Sequence, residues 1–275
     1  MNLRRKLYHL THPVVGEIWC LHRVLPQRSD FKSNRDLEIA PDYLEQLIVE
    51  KQSQGFRFVD MEAFVAAANG EKREKNLIHI TFDDGFEDVF TNAYPILKQH
   101  KIPFTLYVTT DMPDGKADLW WLQLEQLAQG DPEWFEKTMK QIYDRREPVA
   151  TAMHEITSSS PDLALCQQWS LTWEQIRAMV SEGLCTVGSH GVSHSALSLL
   201  SAEDVERELL VSKRRLEEML DIEVRHFSYP HSFFSETTHQ LVWKAGYSTA
   251  VVGYGGATRR EKGNKFFYRN YIVQP

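Results

Sequence analysis

An adjacent pair of carboxylates, Asp83 and Asp84, is the sharpest chemical feature of this sequence. The pair follows the apolar segment Leu77–Phe82, which is typical of a buried strand, and Gly85 permits a turn directly after it. Neighbouring carboxylates repel each other unless a cation or a proton compensates their charge. One carboxylate could therefore bind a metal ion while the other acts as a base, or one of them could cap the following helix.

Two histidines, His190 and His194, follow a second apolar segment at residues 184–187. Side chains at this spacing can face one point, either on a helix or in a tight turn after a strand. Neutral imidazoles suit Zn²⁺ and similar ions, although two histidines by themselves could equally lie exposed in a loop. Two histidines and one carboxylate together form a three-ligand set with an open position, which is the pattern of catalytic metal sites.

The elements that must position these side chains alternate between strand and helix. The sequence predicts strands at residues 16–24, 56–59, 77–82, 104–109, 184–189, 224–229, 248–252 and 268–273. It predicts helices at residues 41–54, 61–68, 93–100, 172–181, 201–219 and 239–245. Repeated β-then-α units with apolar strands indicate an α/β fold, with a parallel sheet that is closed or nearly closed into a barrel.

In such folds the chemistry lies at the C-terminal ends of the strands. Four predicted strand ends carry reactive side chains: His22, the Asp83-Asp84 pair, the two histidines of residues 190–194, and His231 in a Tyr-Pro-His turn. We therefore expect these groups to meet at one end of the barrel.

Strand patterns are absent between about residues 112 and 168, where segments 122–128 and 134–143 are helical in pattern. Within this segment, Trp120 and Trp121 could form a platform on which a sugar ring stacks, or they could pack in a core. We interpret the segment as a helical insertion packed on a single domain that spans residues 1–275.

Composition excludes several classes of protein. The chain of 275 residues has a net charge of −7, so it lacks the basic face that nucleic-acid binding requires. No apolar run reaches the roughly 18 residues that a transmembrane span needs. Three scattered cysteines indicate buried free thiols in a reducing compartment. The basic N-terminus is not followed by a long apolar stretch, so we expect no signal peptide and a cytoplasmic location.

The segment Thr-Phe-Asp-Asp-Gly at residues 81–85, followed after roughly a hundred residues by Ser-His-x-x-x-His at residues 189–194, resembles the polysaccharide deacetylase family. This is the NodB-homology domain of carbohydrate esterases. The turn at residues 227–231 and the segment Ala-Gly-Tyr at residues 245–247 support the resemblance. It extends over roughly residues 16–275, apart from the insertion.

The resemblance implies a distorted (β/α) barrel of about seven strands, a divalent metal ion and hydrolysis of an N- or O-acetyl group on a sugar. Zn²⁺ is the first choice of ion, and other divalent ions remain open. By position, Asp83 matches the general base, and Asp84, His190 and His194 match the metal ligands. The backbone N–H of His231 matches the donor to the oxyanion.

The chain also departs from the family pattern. Ser228 stands where the family's third motif has an arginine, and Arg269 is the candidate to replace that arginine. The usual C-terminal motif, an apolar strand that ends in a histidine, is missing, but residues 18–22 have that pattern at the N-terminus. The chain therefore resembles the circularly permuted branch, with His22 as the general acid that protonates the leaving amine. His22 could instead be a strand-end histidine bonded to a backbone carbonyl.

The expected partner is an acetylated sugar, which could be a saccharide chain, a lipid-linked precursor or a small N-acetyl sugar. Two alternatives remain at this stage. The chain could be a metal-dependent hydrolase of a non-sugar amide, or a non-catalytic carbohydrate-binding protein on the same fold. The second alternative predicts missing catalytic residues, whereas the base and all three ligands are present in this sequence.

Overall fold

The computed structural model describes residues 12–275. The basic N-terminal segment lies outside the described residues, so the prediction of a cytoplasmic location without a signal peptide stays a prediction. Among the helices of residues 12–275, none combines the length and the apolar character that a membrane span requires.

The strands in this part of the chain form one large sheet and one small one. They are β1 (Val14–Leu21), β2 (Arg23–Val24), β3 (Glu38–Ile39), β4 (Arg57–Phe58), β5 (Leu77–Phe82), β6 (Phe104–Val108), β7 (Cys185–Ser189), β8 (His226–Ser228), β9 (Thr249–Val252), β10 (Thr258–Arg259), β11 (Phe266–Tyr268) and β12 (Asn270–Tyr271). The large sheet has the order β10-β1-β5-β6-β7-β8-β9-β11, with β4 on β5 and β12 on β1, while β2 and β3 pair separately.

The C-terminal segment links the two ends of the large sheet. β11 pairs in parallel with β9, and after the single residue Arg269 the chain continues as β12, which pairs in parallel with β1. The sheet is therefore nearly closed as a barrel surrounded by helices, as predicted. The single strand predicted at residues 268–273 is wrong, because the chain changes its neighbouring strand at Arg269 and forms two short strands instead.

Two further details of the sheet differ from the prediction. The sheet is mixed, since β10 runs antiparallel to β1. The strand predicted at residues 16–24 is interrupted at His22, and β2 leaves the barrel to pair with β3. The central strands nevertheless pair in parallel, and every residue of β5 is buried. Four of its six residues are apolar, and the buried side chains of His79 and Thr81 are hydrogen-bonded.

Helices cover the barrel and form the insertion. They are α1 (Lys32–Arg35), α2 (Pro41–Ser53), α3 (Met61–Ala68), α4 (Tyr94–Gln99), α5 (Trp120–Leu127), α6 (Pro132–Asp144), α7 (Val149–Thr157), α8 (Leu163–Trp169), α9 (Trp173–Ser181), α10 (Ala202–Leu220) and α11 (Glu236–Lys244). Thr172 and Gln175 form a capping box at the start of α9, and the Ser201 side chain accepts from the backbone N–H of Asp204 at the start of α10. A π-helical turn at Val89–Ala93 precedes α4, so this helical segment begins earlier than predicted.

Helices α5 to α8 lie in the predicted insertion and bury apolar side chains in a cluster of their own. Phe31 and Phe86 belong to that cluster although they lie outside residues 112–168, so the insertion packs directly on the rest of the chain. The assignment of residues 1–275 to one domain stays a prediction. Cys20, Cys166 and Cys185 are buried free thiols, as expected.

Candidate active site

The ends of β5 and β7 bring the predicted metal ligands together. The ligand atoms of Asp84, His190 and His194 lie within 4.8 Å of one another. The Oδ1 atom of Asp84 is 3.4 Å from Nε2 of His190 and 3.2 Å from Nε2 of His194. Because parallel strands end at one side of a barrel, residues about a hundred positions apart converge there.

The backbone at two of these positions is in a region that non-glycine residues seldom adopt. Asp84 has a φ of 74° and His194 a φ of 59°. Such conformations persist only where the surrounding structure fixes them, and they are concentrated at functional sites. The turns after β5 and β7 therefore direct these two side chains inward against the ordinary backbone preference.

The three side chains fit a divalent cation. Oδ1 of Asp84 is buried and has no hydrogen-bond partner. Nδ1 of His190 donates to the Ser228 carbonyl at 2.8 Å, which leaves the Nε2 lone pair facing the carboxylate. A tetrahedral ion with bonds of about 2.0 Å has ligand atoms roughly 3.3 Å apart, close to the separations from Asp84. The donor set therefore suits Zn²⁺ or a similar ion.

The charges of Asp84 and His190 depend strongly on each other. Burial alone would raise the pKa of the Asp84 carboxyl, but the imidazoles of His194 and His190 hold it well below its ordinary value. Burial would lower the pKa of His190, yet the carboxylates of Asp83 and Asp84 raise it. A bound cation would replace that imidazole proton, because a ligating histidine must be neutral.

Asp83 has different surroundings from Asp84. Nη1 of Arg269 donates to Oδ1 of Asp83 at 2.7 Å, and Nη2 donates to Oδ2 at 2.6 Å. The Ser228 hydroxyl also donates to Oδ2, at 3.1 Å. Burial would raise the pKa of Asp83, but the Arg269 guanidinium lowers it to about 2. Arg269 therefore lies beside Asp83, the place expected for a replacement of the third-motif arginine that this chain lacks. Ser228 is a second donor to the Asp83 carboxylate.

His22 follows β1 and stacks on Tyr271, with ring centroids 5.8 Å apart and planes at 7°. Its nitrogen lies within 4.8 Å of both an Asp83 oxygen and the Cys20 sulfur. These three residues are poor metal ligands as a set, because Arg269 already occupies both Asp83 oxygens and burial raises the pKa of the Cys20 thiol. The proposed role of His22 as general acid stays a prediction.

The Tyr-Pro-His turn after β8 lies against the histidine loop. Nε2 of His231 donates to the carbonyl oxygen of His194 at 3.2 Å, so its Nδ1 is left to accept from the Tyr143 hydroxyl at 3.3 Å. His231 has a φ of 55°. The turn is thus fixed beside the ligand set, and the proposed role of its backbone N–H stays a prediction.

Sequence reasoning missed Glu208, which holds the loop between the two histidines. The Glu208 carboxylate is buried and accepts from the backbone N–H groups of Val192, at 2.6 Å, and Ser193, at 3.1 Å. It also accepts from the Ser193 hydroxyl at 2.7 Å. A signal was present in the sequence, because Glu208 falls on the apolar face of α10 together with Val205 and Leu209.

Trp120 and Trp121 are only 2% and 8% exposed, so they pack in the core of the insertion. Both also line the cavity above the candidate metal ligands. The Trp121 ring lies 5.1 Å from the His194 ring, measured between centroids. The prediction that both residues pack in a core is therefore confirmed, and stacking of a sugar on them stays a prediction.

Comparison with known proteins supports the same interpretation. The family model for polysaccharide deacetylases matches residues 70–250. YxkH of Bacillus subtilis (strain 168), provisionally named a polysaccharide deacetylase, is 23% identical over 208 residues, or 76% of this chain and 56% of its own length. A poly-β-1,6-N-acetyl-D-glucosamine N-deacetylase of Staphylococcus aureus (strain MSSA476) is 32% identical over 82 residues, or 30% of this chain and 28% of its own length. The matches thus span between a quarter and somewhat over half of these relatives.

Two solved structures share the fold. IcaB from Ammonifex degensii matches with a TM-score of 0.68 and 23% identity over 94% of this chain and 92% of its own. The deacetylase PplD of Streptococcus pyogenes, in complex with acetate, matches with a TM-score of 0.69 and 22% identity over 95% of this chain and 93% of its own. The nearly closed barrel with its helices is therefore a known architecture.

Proposed function

We propose that this chain, which belongs to the polysaccharide deacetylase family, is a metal-dependent hydrolase that removes an acetyl group from an acetamido sugar. The observation that carries the proposal is the division of labour between two adjacent carboxylates. Asp84 faces His190 and His194, whereas Asp83 is held by Arg269 beside that set. One ligand group and one separate base are what metal-assisted hydrolysis requires.

The protein would hold the ion through Asp84, His190 and His194, which leave a coordination position for the reacting groups. A divalent ion at this point supplies a Lewis acid that polarises the acetyl carbonyl. We propose Zn²⁺, because two imidazoles and one carboxylate in a compact set suit this ion. Several other divalent ions use the same ligands.

Asp83 would act as the general base. Arg269 keeps its carboxyl ionised and fixes the plane of the carboxylate by two parallel hydrogen bonds. The Oδ2 atom of Asp83 lies 3.9 Å from Nε2 of His190, so it reaches the edge of the ligand set without joining it. In this position Asp83 can accept a proton from the water that attacks the acetyl carbon.

His22 would return a proton to the leaving nitrogen. Burial lowers its pKa, while Asp84 and Asp83 act in the opposite direction, so its protonation depends on these carboxylates. The proton taken by Asp83 could pass to His22 through one bridging water, because the two side chains lie within 4.8 Å of each other. The backbone N–H of His231 is the proposed donor to the oxyanion.

The relatives and the charge of the chain support the proposed substrate class. The staphylococcal relative is named for an N-acetylglucosamine polymer, which supports an N-acetyl amide as the bond that is cleaved. A net charge of −7 suits a neutral acetylated sugar that becomes cationic on deacetylation better than a strongly anionic polymer.

Chelation tests the proposal. We expect a strong chelator to abolish acetate release from N-acetylglucosamine oligomers, and added Zn²⁺ to restore it. Elemental analysis of the purified protein should find about one divalent ion per chain. Full hydrolysis after complete removal of metal would contradict metal dependence. A panel of simple aliphatic and ring amides serves as control, since preference for those over acetamido sugars would contradict the proposed substrate class.

A further inference from the structure

The cavity above the catalytic residues is small. Its volume is about 390 Å³, with Asp83, Asp84, His190 and His194 among the lining residues. Small-molecule sites in proteins span about 300 to 1,000 Å³, so this cavity lies near the lower end of that range. It is therefore small for a site that would enclose several sugar residues.

The helical insertion builds one wall of this cavity. Trp120 and Trp121 come from α5, and Met139 and Tyr143 from α6. The wall is fixed to the barrel, because the Tyr143 hydroxyl donates to Nδ1 of His231 at 3.3 Å. The Tyr143 ring also packs edge-on to Trp120, with centroids 6.2 Å apart. These contacts hold the wall in place beside the catalytic residues.

The side of the cavity toward α1 is closed. A second cleft of about 670 Å³ lies beyond it. The gap between the two, bordered by Leu37 and Trp121, holds only about 10 Å³, enough for about one water. Nδ2 of Asn34 spans this side by donating to the Trp121 carbonyl at 3.3 Å and to Oε2 of Glu125 at 2.6 Å. A sugar chain cannot run through such a gap.

The mouth of the cavity is aromatic. Tyr143 and Tyr271 are 38% and 41% exposed, the largest exposures among the lining residues at this end. Phe233 packs on Tyr143 with ring centroids 6.2 Å apart. The flat faces of such rings suit the apolar face of the pyranose that enters the cavity.

From this shape we infer that the enzyme acts on a single acetamido sugar or on the terminal residue of a chain, and not on residues inside a polymer. An internal residue has a neighbour on each side and needs a cleft with two open ends, whereas a terminal residue needs one. The inference rests on the proposed function and defines its substrate class. Asn34, Leu37 and Trp121 close the far side, and Tyr143 narrows the mouth, so these residues set the limit.

Binding measurements test the shape independently of turnover. The probes are N-acetylglucosamine and its β-1,6-linked and β-1,4-linked pentamers, titrated by calorimetry into Zn²⁺-loaded Asp83→Asn protein. We expect the monosaccharide and the better pentamer to bind within about threefold of each other, because only one residue is enclosed. A pentamer that binds tenfold more tightly or better, or no binding of any of these sugars, overturns the inference.

Product mapping on the wild-type protein gives the second readout. We expect the acetyl group to be lost from one terminal residue of the pentamer, as located by mass spectrometry. Loss from internal residues overturns the inference. Sugar binding without any acetate release would instead contradict the proposed function, so the two failures are distinguishable.

Two variants of α6 complete the test. Tyr143→Ala removes part of the wall, and we expect pentamer affinity to rise about tenfold and internal deacetylation to begin. Trp134→Ala is the matched control, because Trp134 lies on the opposite face of the same helix, is 36% exposed and does not line the cavity. A Tyr143→Ala protein with the wild-type product pattern overturns the assignment of this residue.

Discussion

The floor and the wall of the cavity are built from different kinds of residue. The floor carries charged groups at strand ends, such as Asp83, Asp84 and His190. Hydrogen bonds from Ser228 and Arg269 fix Asp83, and a hydrogen bond to the Ser228 carbonyl fixes His190. The wall carries large, mostly apolar side chains from helices, such as Trp120 and Met139. On our proposal, the barrel would supply the chemistry, while the insertion would decide which sugar reaches it.

The floor contains a second contrast, between two neighbours in the chain. Both Asp83 oxygens receive hydrogen bonds from Arg269, whereas Oδ1 of Asp84 has no donor and faces two imidazoles. A carboxylate already paired with a guanidinium is a weak ligand for a cation but a well-oriented base. A buried carboxylate without a donor requires a positive charge, which a metal ion provides.

The largest effect is expected for His190→Ala, which removes one ligand from the floor. We expect kcat/KM for acetamido sugars to fall by about 10³-fold and the metal content to fall with it. His154→Ala is the control, since His154 lies in the insertion and binds Asp118 there. Equal losses in the two variants, measured by acetate release and elemental analysis, would contradict the assignment of His190 to the ligand set.

Arg269→Lys should have the next largest effect. Lysine keeps the charge but cannot form two parallel hydrogen bonds, so Asp83 loses its fixed plane. We expect kcat to fall by about 10²-fold while about one metal ion stays bound. Arg259→Lys is the matched control in β10, and thermal unfolding monitors folding. Retention of full kcat by a folded Arg269→Lys protein would contradict the proposed role of this arginine.

His22→Ala tests the general acid through the leaving group. An amide nitrogen must be protonated as it leaves, whereas an aryl oxide leaves without that help. We expect a loss of about 10²-fold or more on the acetamido sugar and a much smaller loss on an aryl acetate. His100→Ala serves as control, because His100 pairs with Glu45 away from the cavity. Equal losses on both substrates would exclude the proposed role.

Glu208→Gln should weaken metal binding, although this side chain does not contact the substrate. The amide keeps one acceptor oxygen but replaces the other by a donor, so the loop between the histidines loses part of its support. We expect Zn²⁺ affinity, measured by chelator competition, to fall by about 10-fold to 100-fold. Glu206→Gln is the control, because Glu206 is a partly buried residue of the same helix that pairs with Lys244. Unchanged affinity would assign Glu208 to loop structure alone.

The floor could be predicted from sequence because strand ends converge in any parallel barrel. Once the strands β5 and β7 were predicted correctly, their parallel arrangement placed the Asp-Asp pair and the two histidines together. Arg269 was harder to place, since its position depends on the chain leaving β9 and joining β1 at that single residue. No periodic pattern in the sequence indicates such a change of neighbour.

The wall could not be predicted in the same way. A helical pattern in residues 112–168 indicates that helices form, but it does not fix which face of α5 or α6 meets the barrel. The position of Trp121 beside His194 therefore emerged only from tertiary packing. Glu208 is an intermediate case, because a carboxylate on the apolar face of α10 was visible and its partners were not.

The most direct test of the central claim compares Asp83→Asn with Asp84→Asn in one experiment. Metal content by elemental analysis and acetate release from N-acetylglucosamine oligomers are measured on both folded proteins. The structure predicts that Asp83→Asn keeps about one ion per chain and loses turnover, whereas Asp84→Asn loses both. Equal metal content in the two variants, or turnover in Asp83→Asn at the wild-type rate, would contradict the division of roles between these carboxylates.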